Sequence, residues 1–151
     1  MQNPYKCPGK DAFMQTKEFY WKERVHIYDT DSQGIVHYAG YYRFFTDASE
    51  QYAKSRFGLN WPLVNDKVWF VVVDSYARYR MPLRLGDEIR TYVNAATAGS
   101  KAIEFAFKIY RNTDMVCEGR IVQVAIDKKA WKAVSLPRSI AARISGRTVK
   151  R

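Results

Sequence analysis

The apolar positions of this chain change period twice. From Phe19 to Tyr28 they fall on alternate residues, at Phe19, Trp21, Val25 and Ile27, which is the spacing of a half-buried strand. After Val36 they recur at threes and fours, at Tyr38, Tyr41, Phe45, Ala48 and Tyr52, and line one face of a helix of about four to five turns. Gly58 is placed to end that helix in a left-handed cap, and Pro62 bars its continuation. Everything downstream reads as strand. Val68 to Met81 is apolar on both faces at its start, Glu88 to Ala98 alternates through Ile89, Thr91, Val93 and Ala95, and Lys101 to Arg111 alternates through Ile103, Phe105, Phe107 and Ile109. Met115 to Asp127 follows. Turns at Leu85-Gly86-Asp87, Gly99-Ser100 and Asn112-Thr113-Asp114 separate these segments, so the strands are expected to be successive and antiparallel. Ala130 to Val134 is expected to finish the sheet or add a short strand, and Pro137 to open a short helix through Ile144. The order β-α-β-β-β-β predicts an α+β fold in which an antiparallel sheet of about five strands wraps one long central helix.

A chain of 151 residues is expected to form one domain, here 18–145, with an N-terminal extension at 1–17 and a basic tail at 146–151. Cys7 and Cys117 have no C-x-x-C partner, so Cys117 is expected in the core and the chain in a reducing compartment. No charged segment leading into an apolar stretch opens the chain, and no apolar run reaches membrane-span length. The expectation is therefore a cytoplasmic protein with no membrane partner. The net charge of +10 favours polyanionic partners without choosing among nucleic acid, anionic lipid and phosphorylated small molecules. Against nucleic acid, the aromatic residues follow the apolar periods and are not interleaved with Lys and Arg on one exposed strand face.

The candidate chemistry lies where the first strand hands over to the helix, from Tyr28 to Phe45. Asp29, Asp31 and Gly34 occupy positions one, three and six of a calcium loop, but position twelve is Gly40 in place of the bidentate Glu, and Gln33 stands at position five. No H-E-x-x-H or Cys/His ligand set occurs, so no metal is expected. No G-x-S-x-G elbow is present, and with only His26 and His37 a Ser-His or Cys-His site has few members. What remains is a carboxylate just ahead of a helix N-terminus, where unpaired N–H groups gather and an oxyanion is stabilised. On the residues alone, each Asp is better read as an acceptor for turn N–H groups than as a reacting group.

The stretch Asp29-x-Asp31-x-x-Gly34-x-Val36-x-Tyr38-x-x-Tyr41 resembles the signature of hotdog-fold acyl-CoA thioesterases, in the 4-hydroxybenzoyl-CoA thioesterase and YbgC-like branch. A second match, Tyr79-Arg80-Met81-Pro82-Leu83-Arg84-Leu85-Gly86-Asp87-Glu88, is similar to that family's turn between its second and third strands. The resemblance implies a thioester hydrolase without a cofactor, with acyl-coenzyme A as substrate and a homo-oligomer, a dimer or a dimer of dimers, as the working form. By residue it implies Asp31 as the catalytic carboxylate and the backbone N–H of Tyr38 as the donor to the thioester carbonyl. His37 stands where other members of the YbgC-like group carry an aromatic residue, with their histidine one position later. Gly34 and Val36 would be substrate-binding, Lys101 resembles a basic position that some members use for phosphate contact, and the basic balance of the chain supplies Arg78, Arg80, Arg84 and Lys108 as further phosphate partners. Asp29 would order the turn. The competing expectations are a hotdog protein that binds an acyl thioester without cleaving it, and a basic nucleic-acid-binding module.

Overall fold

The structure is a computed structural model, and it describes residues 18–62 and 65–145. Strand β1 spans Phe19–Arg24, helix α1 Gly40–Phe57, β2 Val68–Tyr79, β3 Glu88–Ala98, β4 Ala102–Arg111, β5 Asp114–Asp127, β6 Lys132–Ala133 and α2 Arg138–Ser145. The expected extension at 1–17 and tail at 146–151, with Cys7, lie outside the described residues.

All strand pairs are antiparallel, and the sheet runs β1-β3-β4-β5-β2 with β6 added beside β5. The hairpins β3-β4 and β4-β5 follow from their turns, but β2 and β3 are not neighbours as successive pairing would require. Strand β2 crosses to the far edge and pairs with β5, while β3 pairs with β1. A strand apolar on both faces at its start gains more from lying along the long β5 than from a hairpin across the segment 80–87, which is needed elsewhere.

Helix α1 lies in the concave face of this sheet, burying Tyr41, Phe44, Phe45, Ala48, Tyr52 and Ala53 against Val93, Ile103, Phe105, Phe107, Ile109 and Ile121. Gly58, at φ 67°, ends it as expected. Its start is later than the periodicity implied: Tyr38 stands before the first turn and is 67% exposed, so it is not part of the apolar stripe. The first strand also ends early. Ile27 belongs to a 3-10 turn, Ile27–Asp29, and is 70% exposed, because the chain must bend at once toward α1. His26 sits just ahead of that turn, stacked on Tyr28 with ring centres 5.1 Å apart, and not on a strand face. Cys117 is a buried free thiol whose pKa burial pushes up to about 12.

Candidate active site

Residues 30–36 form a miniature hairpin. The Asp31 N–H donates to the Ile35 carbonyl at 2.9 Å, the Gly34 N–H donates to the Asp31 carbonyl at 3.0 Å, and Thr30 bridges to Val36. Gly34 adopts φ 74° with open space around a notional Cβ, so it is the backbone angle and not crowding that calls for glycine. Side chains then fix the turn. The Gln33 N–H donates to Asp31 Oδ1 at 2.8 Å, which orients the half-buried carboxylate. Among the described residues Asp31 Oδ2 has no hydrogen-bond donor.

The loop is tied down on two sides. Val36 is buried and donates its N–H to the Leu83 carbonyl at 2.8 Å, while Ile35 bridges to Arg84, so the β2-β3 connection forms the floor. At the base, the His37 N–H donates to the Asp29 carbonyl at 2.9 Å. Asp29 is buried, and its carboxylate receives Arg43 Nε on Oδ1 at 2.6 Å, Arg43 Nη2 on Oδ2 at 2.8 Å and the His26 N–H on Oδ2 at 2.8 Å. Burial opposes the Arg43 charge, yet the hydrogen bond to Asp29 and the field of Glu23 more than offset it and hold its pKa above the ordinary arginine value. Arg43 Nη1 also donates to Glu23 at 2.9 Å and to Asp47. Burial raises the Glu23 carboxyl to about 7 against the opposing pull of Arg43, and among the described residues its Oε2 is buried without a partner.

On the far side of the loop, Tyr38 projects into solvent and its carbonyl accepts the Tyr79 hydroxyl at 2.9 Å. The Tyr38 N–H has no hydrogen-bond partner among the described residues, whereas the N–H groups flanking it, of His37 and Ala39, are both used. His37 Nδ1 accepts the Ala39 N–H at 3.2 Å, and its ring lies 4.4 Å from that of Tyr38. The tyrosine Tyr41 packs 4.9 Å from Tyr79, and burial raises its hydroxyl to about 12.

Asp31, Gly34, Val36, His37 and Tyr38 are thus gathered with Arg84 at one end of the sheet. Arg78 is exposed beside Tyr79, whose hydroxyl reaches the Tyr38 carbonyl, but it faces Glu118 at 3.8 Å and not the loop. Lys101 is not brought to the loop. It follows β3, whose 11 residues separate it from the Arg84 end by roughly 35 Å. Two residues of the site were not singled out from the sequence, Arg43 and Tyr79. The spacing of Arg43 and Asp47, four apart on a helix, was a visible signal for a shared face, but nothing in the sequence linked either to Asp29. Among the described residues no cluster of His, Cys, Asp and Glu is arranged to hold a metal ion, and no helix is long and apolar enough to cross a membrane.

A family model described as the thioesterase-like superfamily matches residues 25–144. The chain is 28% identical over 130 residues to the acyl-CoA thioester hydrolase YbgC of Escherichia coli, covering 85% of this chain and 97% of that one. Its backbone is similar to that of a 1,4-dihydroxy-2-naphthoyl-CoA thioesterase from Synechocystis, with TM-score 0.78 at 17% identity over 85% of this chain and 96% of the other. It is also similar to a Staphylococcus aureus protein solved in complex with CoA, with TM-score 0.79 at 16% identity, over 89% of this chain and 85% of that one. The antiparallel sheet around α1 is the hotdog fold of these structures.

Proposed function

This chain belongs to the thioesterase-like superfamily, and we propose that it hydrolyses the thioester of an acyl-coenzyme A, with Asp31 as the reacting carboxylate. The observation that carries the reading is the pairing of an oriented carboxylate with an unused amide. Asp31 is fixed through Oδ1 with Oδ2 open, and the Tyr38 N–H across the loop base is free to receive a carbonyl oxygen. The name and coverage of the Escherichia coli relative support acyl-coenzyme A as the substrate class.

In this reading the Tyr38 N–H polarises the thioester carbonyl and stabilises the oxyanion, a contribution of about 3 kcal/mol for one such donor. Asp31 then either attacks the carbonyl carbon, giving a mixed anhydride and releasing the coenzyme A thiolate, or takes a proton from a water that attacks instead. Both routes end in the free acid and the thiol. Label from isotopically labelled water found in the Asp31 carboxylate after a single turnover identifies the anhydride route with opening at the aspartyl carbonyl, and hydroxylamine trapping of the acyl-Asp31 anhydride reports that route whichever carbonyl water attacks. His37 Nδ1 accepts the Ala39 N–H, which keeps the neutral ring's proton on Nε2 and leaves Nδ1 unavailable as a base.

The working form is an oligomer. Strand β2 is an edge strand of 12 residues, and Val72, Val73, Tyr76 and Tyr79 are exposed along it. So long and apolar an edge is suited to pairing with a second copy. An antiparallel pairing of two β2 strands would lay the Val68 end of one chain beside the Tyr79 end of the other. The far end of the sheet, which carries Lys101, then approaches the neighbour's Asp31 loop and its substrate phosphates.

The test is a hydrolysis screen over short, long and aromatic acyl-coenzyme A substrates with thiol release as readout, run beside Asp31→Asn. The amide keeps the Gln33 acceptor but can neither attack nor take a proton, so kcat should fall by roughly 10² to 10⁴ with binding retained. Wild-type turnover in Asp31→Asn would exclude it as the reacting group. No thiol release from any substrate would favour a binding protein of the same fold.

A further inference from the structure

The two groups assigned to the reaction sit on either side of the miniature hairpin's neck, Asp31 within the hairpin and Tyr38 just past it. Asp31 follows Asp29 by two residues, and Tyr38 follows His37 by one. Their separation therefore depends on what holds Asp29 and His37 together: at the neck the His37 N–H donates to the Asp29 carbonyl at 2.9 Å, and one step into the loop the Asp31 N–H donates to the Ile35 carbonyl at 2.9 Å. Backbone bonds of this kind join the two sides of the loop to each other, but the neck is placed only as firmly as one side of it is fixed.

Asp29 is that fixed side. Its two carboxylate oxygens receive a fork from Arg43, at 2.6 Å and 2.8 Å, and the His26 N–H as well. The guanidinium is itself immobilised, since it donates to Glu23 on β1 and to Asp47 on α1 and lies 4.5 Å from the Phe44 ring centre. Arg43 is in the first turns of α1, the helix whose start follows Tyr38. One side chain thus joins β1, the 3-10 turn and α1 at the point where the loop leaves and returns. Gly40 completes the joint, because a Cβ there would stand 3.2 Å from the Asp29 carbonyl oxygen and 3.0 Å from Val36 Cγ1.

Resting on the reading of Asp31 given above, we propose that Arg43 is the positioning residue for the site, closing the base of loop 30–36 through Asp29 so that the Asp31 carboxylate and the Tyr38 N–H keep the separation the reaction needs. The fork geometry is the point. Lysine supplies the charge but only a point donor, and cannot grip both oxygens of Asp29 in one plane.

The variant Arg43→Lys should therefore lose kcat by roughly 10- to 100-fold, the scale of a 1 Å misplacement, with KM changed by no more than about threefold. The hydrogen exchange of the His37 amide should quicken, since that bond is the neck the fork holds closed. In an Asp31→Asn background the same substitution should cost almost nothing further, because Arg43 acts through Asp31. Unchanged kcat in Arg43→Lys, unchanged His37 exchange, or a full additional loss on top of Asp31→Asn would each overturn the proposal. Should Arg43→Lys not fold, Asp29→Asn reads the same link from its other end. It should lose kcat and His37 protection together, and wild-type kcat there overturns the proposal equally. Wild-type turnover in Asp31→Asn instead removes the functional reading on which the proposal stands, a different outcome read from a different variant.

Discussion

Glu23 is the residue where the apolar alternation of β1 admits a charge. It lies on the more buried side of the strand with Phe19, ahead of the buried Val25, and among the described residues the Arg43 guanidinium donates to it, in company with Asp29 and Asp47. Burial disfavours the ionised carboxyl against the pull of Arg43, with smaller contributions from the negative charge of Asp47 and Asp29, and among the described residues Glu23 Oε2 is buried without a hydrogen-bond partner. In the unfolded chain this carboxyl ionises near 4.5, in the folded chain at about 7. Between those values the folded state holds a proton that the unfolded state has lost, so stability falls as pH rises through this window and levels off above it. Glu23→Gln should remove that slope. Unfolding free energies of the two proteins at about pH 5 and about pH 8 should differ in their pH dependence by on the order of 1–2 kcal/mol, with the variant relatively more stable at the higher pH. Parallel pH profiles would show that Glu23 ionises normally.

At the scale of elements, the contact that sets the depth of α1 in the sheet is between Phe45 and Gly119 of β5. A Cβ on Gly119 would lie 2.5 Å from Phe45 Cζ and 2.7 Å from the Tyr76 carbonyl oxygen. The Phe45 ring cannot retreat, because it is stacked on Phe107 at 4.6 Å with Tyr42 edge-on at 5.6 Å. Gly119→Ala should accordingly destabilise the protein by about 1–3 kcal/mol through overpacking, seen as a lower denaturant midpoint with an unchanged slope. Because α1 carries Arg43 and follows Tyr38 directly, the same variant should also lower kcat. A midpoint equal to wild type would mean that the helix can lift without cost. The element boundaries themselves were largely legible: β3 begins at Glu88 and ends at Ala98 as its alternation implied, and Gly58 caps α1. The start of α1 was not, because a periodic tyrosine at 38 belongs equally well to a turn once the His37 and Ala39 amides have found partners outside the helix.

For the whole molecule, the exposed edge of β2 leads to a prediction about mass. Light scattering at micromolar concentration should give a dimer or a multiple of it, and Val73→Lys, a charge placed on that edge, should shift the mass toward the monomer and reduce turnover in parallel. A monomeric wild type with full activity would remove any role for a second chain. What the sequence determined by itself was local: the α+β class, the helix and its cap, the strand periods, and the placing of Asp31, Gly34 and Tyr38 in one acidic turn ahead of a helix. These follow from backbone angles and from spacings of two and of three to four, which are properties of neighbouring residues. Strand order, the crossing of β2 to the far edge, the 35 Å that separates Lys101 from the loop (roughly, from the rise of β3) and the grip of Arg43 on Asp29 were decided only in three dimensions. Each joins residues that are remote along the chain. Arg43 and Asp29 are 14 residues apart and β2 meets β5 across 46, from Asp74 to Arg120. No periodicity encodes such pairings, and they are chosen by which arrangement buries the apolar faces while leaving every buried charge a partner.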